Sequence, residues 1–248
     1  MSQRLKLLIQ KKLGTVHLRT ILIVPFVLQV FGIVGLVGYL SYKNGQNAVN
    51  NLTSQLLHRT NDLVTEHLNA FASSAQQMSQ VNAHAAKIEL YDPQDTKLAG
   101  TYLWKQVQVF NISSVGYALE SGLYIAANRW TKNEVVIDEI SARTKGKNYT
   151  YATDRDGNRT KIIEVYQNYK PLQESWYVDT VKAGKPIWSP IYNWDQAPHF
   201  IAASFNQPML DQKGKSIGVI GVDLLLSQIS DFLRQIKPSK SGQVLVIE

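Results

Sequence analysis

Cysteine is absent from the 248 residues of this chain. Its absence excludes disulfide bonds and metal sites built on thiolates. The sequence also lacks an HExxH motif, a GxSxG motif and a phosphate-cradling glycine loop, which mark common classes of enzyme. The five histidines do not have the spacing of metal ligands: His17, His58, His67, His84 and His199. We therefore predict no enzymatic activity, no metal and no cofactor.

Acidic residues are absent from the first 20 positions, which are the most basic part of the chain. Most of the formal net charge of +7 lies there, on Arg4, Lys6, Lys11, Lys12 and Arg19. A nucleic-acid-binding domain carries its basic residues as a patch on the folded surface. This distribution predicts that nucleic acid is not a partner.

Charged residues are also absent from residues 21–42, ILIVPFVLQVFGIVGLVGYLSY. At about 1.5 Å per residue, a helix of this length crosses a hydrocarbon core of about 30 Å. A cleaved signal peptide is the alternative, but its apolar region usually has about 7 to 15 residues. We predict a transmembrane helix over 21–42. Because basic residues accumulate on the cytoplasmic side, residues 1–20 are predicted to be cytoplasmic and 43–248 to lie outside a cell inner membrane.

After the membrane segment, apolar residues recur at intervals of three, four or seven from about Ala48 to Leu90. The pattern predicts a long stalk helix over 43–90, which ends before Tyr91-Asp92-Pro93 because proline disfavours helical geometry in the preceding residue. The apolar stripe is narrow. It is compatible with a seam between two copies of the chain and equally with packing against the chain's own domain.

The remaining residues have the pattern of an α+β domain. A second helix is predicted to begin at Asp95, a good amino-terminal cap. Segments rich in β-branched and aromatic residues then predict strands, with Asp156-Gly157 as a hairpin turn. A short helix is predicted over 173–182, followed by strands in 185–192, 199–209 and 215–226 and a helix over 227–236. TDRDGN superficially resembles a calcium loop, but Ile163 replaces the glutamate that such a loop requires.

The stretch from Tyr166 to Tyr192 contains six aromatic residues interleaved with charges and prolines. Trp176 and Tyr177 are adjacent, so a helix directs them about 100° apart and a strand directs them to opposite faces. Tyrosine and tryptophan combine a large apolar body with one hydrogen-bonding group, which suits the wall of a pocket for a small polar ligand.

The same stretch resembles the ligand-binding segment of the double Cache (dCache) family, the extracytoplasmic sensor domains of bacterial chemoreceptors, histidine kinases and diguanylate cyclases. Amino-acid-binding members have a Tyr, four residues, an Arg, one residue and then Trp-Tyr, followed by a further Tyr and a later strand that ends in Gly-Val-Asp. The matching residues are Tyr169, Trp176, Tyr177, Tyr192 and Asp223. Glu174 stands at the Arg position, and Asp195 lies one place later than the aspartate of the family's Tyr-x-Asp.

The resemblance implies a PAS-like antiparallel sheet flanked by helices and a ligand site formed by these five residues together with Glu174. In the family the Arg and Trp hold a ligand carboxylate, while the Asp and the tyrosines hold an ammonium group. Because glutamate is an acceptor of opposite charge to arginine, the replacement disfavours a carboxylate and favours an amine or an amino-acid-like cation. Residues 91–237 correspond to the membrane-distal Cache module, and 238–248 to the start of a second module that is cut short.

The predicted function is therefore that of a membrane-anchored sensor for a small molecule, paired as a homodimer through its stalk helix. Because no output domain follows, such a chain would need a separate signalling protein. Two other interpretations stay open. The chain could be a non-functional or split fragment of a longer chemoreceptor, kinase or cyclase, or a ligand-free scaffold in which Trp176, Tyr177 and Asp223 do not converge on one cavity.

Overall fold

The structure, a computed structural model, describes residues 17–131, 134–194, 199–238, 242, 244 and 245. The chain divides into two units, Met1–Thr60 and Asn61–Glu248. Most of 1–20, most of 238–248 and Asp195 lie outside the described residues. The predicted cytoplasmic segment and the predicted start of a second module therefore stay predictions.

The first helix, α1, runs from Leu18 to Lys87 as 70 consecutive helical residues. It is the one helix among the described residues that is long and apolar enough to cross a membrane. The predicted transmembrane and stalk helices are therefore parts of one continuous helix. The sequence agrees with this continuity, since no proline or glycine cluster occurs between residue 42 and the end of the helix.

Within the second unit, α1 buries one stripe of side chains in the core, including Val64, Phe71, Ala75 and Met78. The apolar residues that continue this pattern toward the membrane segment are exposed: Val49, Leu52, Leu56 and Leu63. Packing within the second unit therefore accounts for the later part of the stripe, from Val64 to Met78.

The second helix, α2 (Thr96–Val109), begins where the sequence predicted. The carboxylate of Asp95 accepts hydrogen bonds from the backbone N–H groups of Lys97 and Leu98, each at 3.0 Å. This cap satisfies two of the amides that have no partner within a helix. The inner face of α2 buries Ala99, Leu103 and Val107 completely.

A reciprocal amide pair joins α1 to α2 inside the core. Asn82 Nδ2 donates to Gln106 Oε1 at 2.8 Å, and Gln106 Nε2 donates to Asn82 Oδ1 at 2.6 Å. Both side chains are buried. Each amide therefore replaces the water that the other lost on folding, which fixes the register of α1 against α2.

Replacing Asn82 with alanine is expected to destabilise the domain by about 1–3 kcal/mol, because the amide of Gln106 would stay buried with no partner. This loss corresponds to a decrease of about 2–12 °C in the midpoint of thermal unfolding. Differential scanning fluorimetry of the full chain in detergent measures it. Gln80→Ala, at an exposed position of the same helix, is the control, and equal midpoints for the two variants would contradict the expected role of the pair.

The described residues form nine strands in one antiparallel sheet. The strands are β1 (Ser114–Leu119), β2 (Tyr124–Thr131), β3 (Glu134–Ile140), β4 (Asn148–Thr153), β5 (Arg159–Tyr166), β6 (Ile187–Trp188), β7 (Tyr192–Asn193), β8 (Ile201–Leu210) and β9 (Ser216–Leu225). Their order across the sheet is β5-β4-β3-β2-β1-β9-β8-β6, and β7 also pairs with β8. The first and last long strands, β1 and β9, are therefore neighbours at the centre.

Strand alternation gives the sheet two different faces. One face packs on α1 and α2 with large apolar residues, among them Val115, Tyr117, Ile125 and Ile220. The other face carries small and polar residues at the alternate positions of the same central strands. A sheet of this kind flanked by helices is the α+β, PAS-like fold that the sequence predicted.

The hairpin predicted at Asp156-Gly157 joins β4 to β5. The carboxylate of Asp154 accepts hydrogen bonds from the backbone N–H groups of Asp156 and Asn158, both at 2.9 Å. Gly157 has φ +81°, a left-handed conformation that favours glycine, and a Cβ atom there would lie 2.6 Å from the ring of Trp104. The turn thus depends on the Asp and Gly that identified it in the sequence.

A cover lies over the small-residue face. It begins with a single 3₁₀ turn (Pro171–Gln173) and α3 (Ser175–Ala183), which packs against β8 and β9. The strand predicted over 185–192 is instead two short strands, β6 and β7. Pro190, which has no N–H to donate to a ladder, lies between them. The last helix, α4 (Leu226–Gln235), follows β9 directly.

Candidate ligand-binding site

A cavity of about 100 Å³ lies between the small-residue face of the sheet and its cover. A single water molecule needs about 10–15 Å³ by the same measure, so the space accommodates a small organic molecule. The central strands form its floor, and the segment from Tyr169 to Trp194 supplies the other side.

The cavity has room above the sheet because the residues that face it at one position on each of three adjacent strands are two glycines and an alanine. Gly221 of β9, Gly116 of β1 and Ala126 of β2 are direct neighbours, with Asn206 at one end of the row and Asp138 at the other. A Cβ atom at Gly116 would lie 2.5 Å from the Cβ of Ala126, and one at Gly221 would clash with Oδ1 of Asn206. The glycines therefore create the space between two polar ends.

Asp223 occupies one end of the cavity. Trp194 Nε1 donates to its Oδ2 at 3.0 Å, and Tyr192 donates a second hydrogen bond to the carboxylate. Burial raises the pKa of Asp223 to about 6, against the opposing effect of these two hydrogen bonds. Asp223 is thus mainly ionised at neutral pH, although its carboxylate has lost most of its hydration.

Asp138 occupies the other end, on β3. Asn128 Nδ2 donates to its Oδ2 at 2.7 Å, Thr150 donates to its Oδ1, and Asn148 provides a further hydrogen bond. Ser114 in turn donates to Asn128. Burial raises the pKa of Asp138 to about 7 although these donors favour the carboxylate.

Aromatic side chains form the walls. The rings of Tyr124 and Tyr169 meet edge to face with centroids 5.4 Å apart, and the two side chains are hydrogen-bonded. Trp176 is also hydrogen-bonded to Tyr169, whose pKa is raised by burial and by the nearby charge of Glu174. Glu174 precedes α3 and makes no capping hydrogen bond to that helix.

Five of the six residues predicted for the site line this one cavity: Tyr169, Glu174, Trp176, Tyr192 and Asp223. Tyr177 does not. It is 7% exposed and packs with Ala118 and Val219 beside the cavity, in edge contact with Trp176. The helical 100° offset between neighbours separates it from Trp176, so its position supports the wall rather than lining the space.

The sequence prediction did not include several residues that line the cavity: Ser114, Tyr124, Asn128, Asp138, Trp194 and Asn206. Asp138 had one detectable signal, since together with Glu139 it interrupts the apolar residues of a predicted strand. The others have no local signal, because only the pairing of distant strands brings them together. Trp194 stands where the family's Tyr-x-Asp has its aspartate, and its indole contacts Asp223 instead.

The cavity presents mainly hydrogen-bond acceptors. Asp138, Glu174 and Asp223 line it, and no Lys, Arg or His does so among the described residues. Asn206 is fully buried, its Nδ2 donates to Ser204, and its Oδ1 has no partner. The donors of Trp194 and Tyr192 are already used by Asp223. The carboxylates and this amide oxygen are therefore acceptors that a ligand with donor groups can use.

The sheet, its flanking helices and the cavity on the small-residue face are the architecture of a PAS-like domain. Residues 116–231 match the family model described as the first PDC sensor domain of methyl-accepting chemotaxis protein-like proteins. This match agrees with the resemblance to the membrane-distal half of dCache proteins.

Two solved structures with TM-scores of 0.51 share the fold, and a third is similar over most of the chain. The chain is 18% identical to methyl-accepting chemotaxis protein X, with 80% of this chain and 70% of that chain covered and a TM-score of 0.51. The chain is 16% identical to the extracellular domain of the histidine kinase soHK1S-Z6, with 68% of this chain and 58% of that chain covered and a TM-score of 0.51. It is 17% identical to the ligand-binding domain of Mlp24 with asparagine, with 79% of this chain and 67% of that chain covered and a TM-score of 0.49. No curated protein matches the chain.

Proposed function

We propose that the chain is a membrane-anchored sensor whose cavity binds a small amine or amino-acid-like cation. The observation that supports this most strongly is the acceptor-rich cavity, in which the carboxyl groups of Asp138 and Asp223 meet no Lys, Arg or His of the described lining. A buried carboxylate without a cationic partner is unfavourable, and a cationic ligand supplies that partner. The site is assigned to binding rather than to catalysis.

Glu174 is expected to increase the preference of the cavity for amines over carboxylates. In the resembled family an arginine at this position holds the ligand carboxylate, whereas here an acid lines the cavity. A carboxylate ligand would be repelled by Glu174 and Asp223, while an ammonium group would interact favourably with both. The faces of Trp176 and Tyr169 add cation–π attraction. We therefore expect simple amines to bind more tightly than zwitterionic amino acids, and both more tightly than carboxylates.

The membrane arrangement follows from the sequence flanks. The basic residues before the apolar segment of α1 favour a cytoplasmic amino terminus in a single-pass inner-membrane protein. The sensor domain would then lie in the periplasm or outside the cell, where it meets external ligands.

The exposed apolar residues Val49, Leu52, Leu56 and Leu63 offer a contact for α1 of a second copy. We propose that the chain pairs as a homodimer through this part of the helix. A ligand with different affinity for two arrangements of the pair would change their populations and so transmit a signal to a separate signalling protein.

A contact within the sensor domain can couple the cavity to the helix. Asp223 lies near the end of β9, and α4 begins three residues later at Leu226. Phe232 of α4 stacks on His67 of α1, with ring centroids 3.4 Å apart and an angle of 12° between the planes. A displacement of β9 on ligand binding therefore has a direct path through α4 to α1.

A thermal-shift comparison of butylamine, butanol and butyrate tests the function, because the three compounds share one carbon skeleton. A compound present at about 100 times its Kd stabilises the folded state by about 2.7 kcal/mol, or about 5–11 °C for a domain of this size. We expect this shift for the amine alone in the full chain in detergent micelles. A larger shift with butyrate would contradict the proposal, and no shift with any amine would favour a ligand-free scaffold.

A further inference from the structure

Two aspartates, the buried Asp138 and the partly buried Asp223, stand at opposite ends of the cavity. Asp223 on β9 and Asp138 on β3 are separated by β1 and β2, that is, by three strand intervals. At about 4.8 Å per interval the two strands lie about 14 Å apart. Their side chains both line the cavity from the same face of the sheet. The space between them contains the small-residue row and the hydroxyl of Ser114.

The neighbouring residue on β3 shows how this fold treats a buried acid that has only a structural role. Glu139 is fully buried on the opposite face of the strand, and two arginines, Arg143 and Arg159, contact its carboxylate at 2.8 and 3.0 Å. Asp138 has no such partner among the described residues. Its hydrogen bonds come from the neutral donors Asn128, Thr150 and Asn148.

We propose that the ligand carries two ammonium groups, one bound at Asp223 and the other at Asp138. This inference rests on the proposed function and narrows its substrate class to aliphatic diamines. A carboxylate has about four lone-pair sites, so the donors already present at Asp138 leave room for one more. The ammonium group would give Asp138 a positively charged partner, as Arg143 and Arg159 do for Glu139.

The cavity between the two acids suits the carbon chain of such a ligand. Gly116, Gly221 and Ala126 form a flat strip that leads from Asp138 toward Asn206, one row away from Asp223 and Ser114. Tyr124 and Tyr169 add aromatic surface to the same cavity. Methylene groups can therefore lie on this strip, with Ser114 and Asn128 beside it on the floor and the carboxyl groups of Asp138 and Asp223 beyond them. The unpartnered Oδ1 of Asn206 provides an additional acceptor near the Asp223 end.

Isothermal titration of the full chain in detergent with diaminobutane and with butylamine tests the proposal. The two ligands have the same carbon chain and differ by one ammonium group. We expect diaminobutane to bind about tenfold or more tightly than butylamine. Asp138→Asn should remove this difference. Asp179→Asn, which removes an exposed carboxylate outside the cavity, should preserve the difference.

A second measurement needs no variant. The groups that face Asp138 are acidic: Glu164 from β5, and Glu174 and Asp223 across the cavity. Because its pKa is about 7, Asp138 is about half protonated at pH 7. An ammonium group bound there should therefore expel a proton. Titrations in buffers of different ionisation enthalpy should show about half a proton more released by diaminobutane than by butylamine.

Three outcomes separate the inference from the proposed function. Tighter binding of the diamine, lost in Asp138→Asn and accompanied by the extra proton, supports both. Equal affinity for the two ligands with equal proton release overturns the second cation site and leaves the amine sensor intact. Failure of both ligands to bind at millimolar concentration overturns both.

Discussion

Replacing Asp223 with asparagine is expected to weaken amine binding by about 2–5 kcal/mol, or roughly 30- to 3,000-fold in Kd. The substitution keeps the shape of the side chain and removes its charge. An ammonium group at this end of the cavity would lose the ionised acceptor and would face an amide whose NH₂ group is itself a donor. The loss therefore exceeds that of an ordinary neutral hydrogen bond, which is about 0.5–1.5 kcal/mol.

The same variant should remain folded. The remaining amide oxygen can still accept the hydrogen bonds from Trp194 Nε1 and Tyr192 that the carboxylate accepts now. Burial raises the pKa of Asp223, so its negative charge at neutral pH destabilises the folded state without ligand. Asparagine has no charge and therefore removes this destabilisation. The thermal midpoint without ligand should thus be unchanged or higher, so lost affinity cannot be attributed to unfolding.

Calorimetric titration with butylamine from pH 5 to pH 8 measures the effect. Wild-type affinity should decrease about tenfold per pH unit below the pKa of about 6, because the amine must then displace a proton from Asp223. Asp223→Asn should lack this decrease. The exposed-site variant Asp179→Asn should behave as wild type. Full affinity in Asp223→Asn would show that the amine binds elsewhere.

The sequence predicted those parts of the fold whose signals are local. Asp95 caps α2, and Asp154 with Gly157 forms the turn of the β4–β5 hairpin, because each uses hydrogen bonds to residues a few positions away. The prediction of one continuous strand over 185–192 was wrong, because the structure has two short strands there, β6 and β7. Pro190 cannot donate to a sheet ladder, and this effect of one residue outweighed the β propensity of its neighbours.

The candidate site was predictable only in part, for the same reason. Glu174 and Trp176 lie close together in the sequence, so their spacing could be compared with a known pattern. Asn128 and Asp138 enter the cavity through strand pairing, and the register that places Ser114 beside Asp223 depends on β1 meeting β9 over a hundred residues later. No periodicity within one strand contains that information.

A different set of contacts, on the opposite face of β3, should dominate the stability of the domain. The side chain of Glu139 is fully buried, and its oxygens accept hydrogen bonds from Ser141 at 2.7 Å and Thr96 at 3.1 Å. Arg159, whose side chain is 11% exposed, lies 3.0 Å from Oε2. Glu139 thus joins β3 and β5 to the start of α2.

The carboxylate is the form of Glu139 that this site stabilises. Burial alone would raise the pKa of Glu139, but the hydrogen bonds from Ser141 and Arg143 and the charges of the arginines hold it below its usual value. A lowered pKa in the folded state means that the contribution is complete above the pKa of the unfolded chain, about 4.3. It is lost as the pH falls through the lower folded value.

Replacing Glu139 with glutamine is expected to destabilise the domain by about 3–5 kcal/mol, because Arg159 would stay buried without its counter-charge. This loss is a decrease of about 6–20 °C in the midpoint of thermal unfolding. Arg143→Gln is the matched control. The side chain of Arg143 is 63% exposed, so breaking its pair should cost only about 0–1 kcal/mol.

A double variant decides whether the unpaired charge causes the loss. Glu139→Leu combined with Arg159→Met removes both ions and fills the space with apolar groups, an exchange that is often neutral in other buried pairs. We expect the double variant to be more stable than Glu139→Gln alone, although Thr96 and Ser141 lose an acceptor. If the double variant is less stable than the single one, the hydrogen bonds from Thr96 and Ser141 stabilise this part of the domain, and the ion pair contributes little.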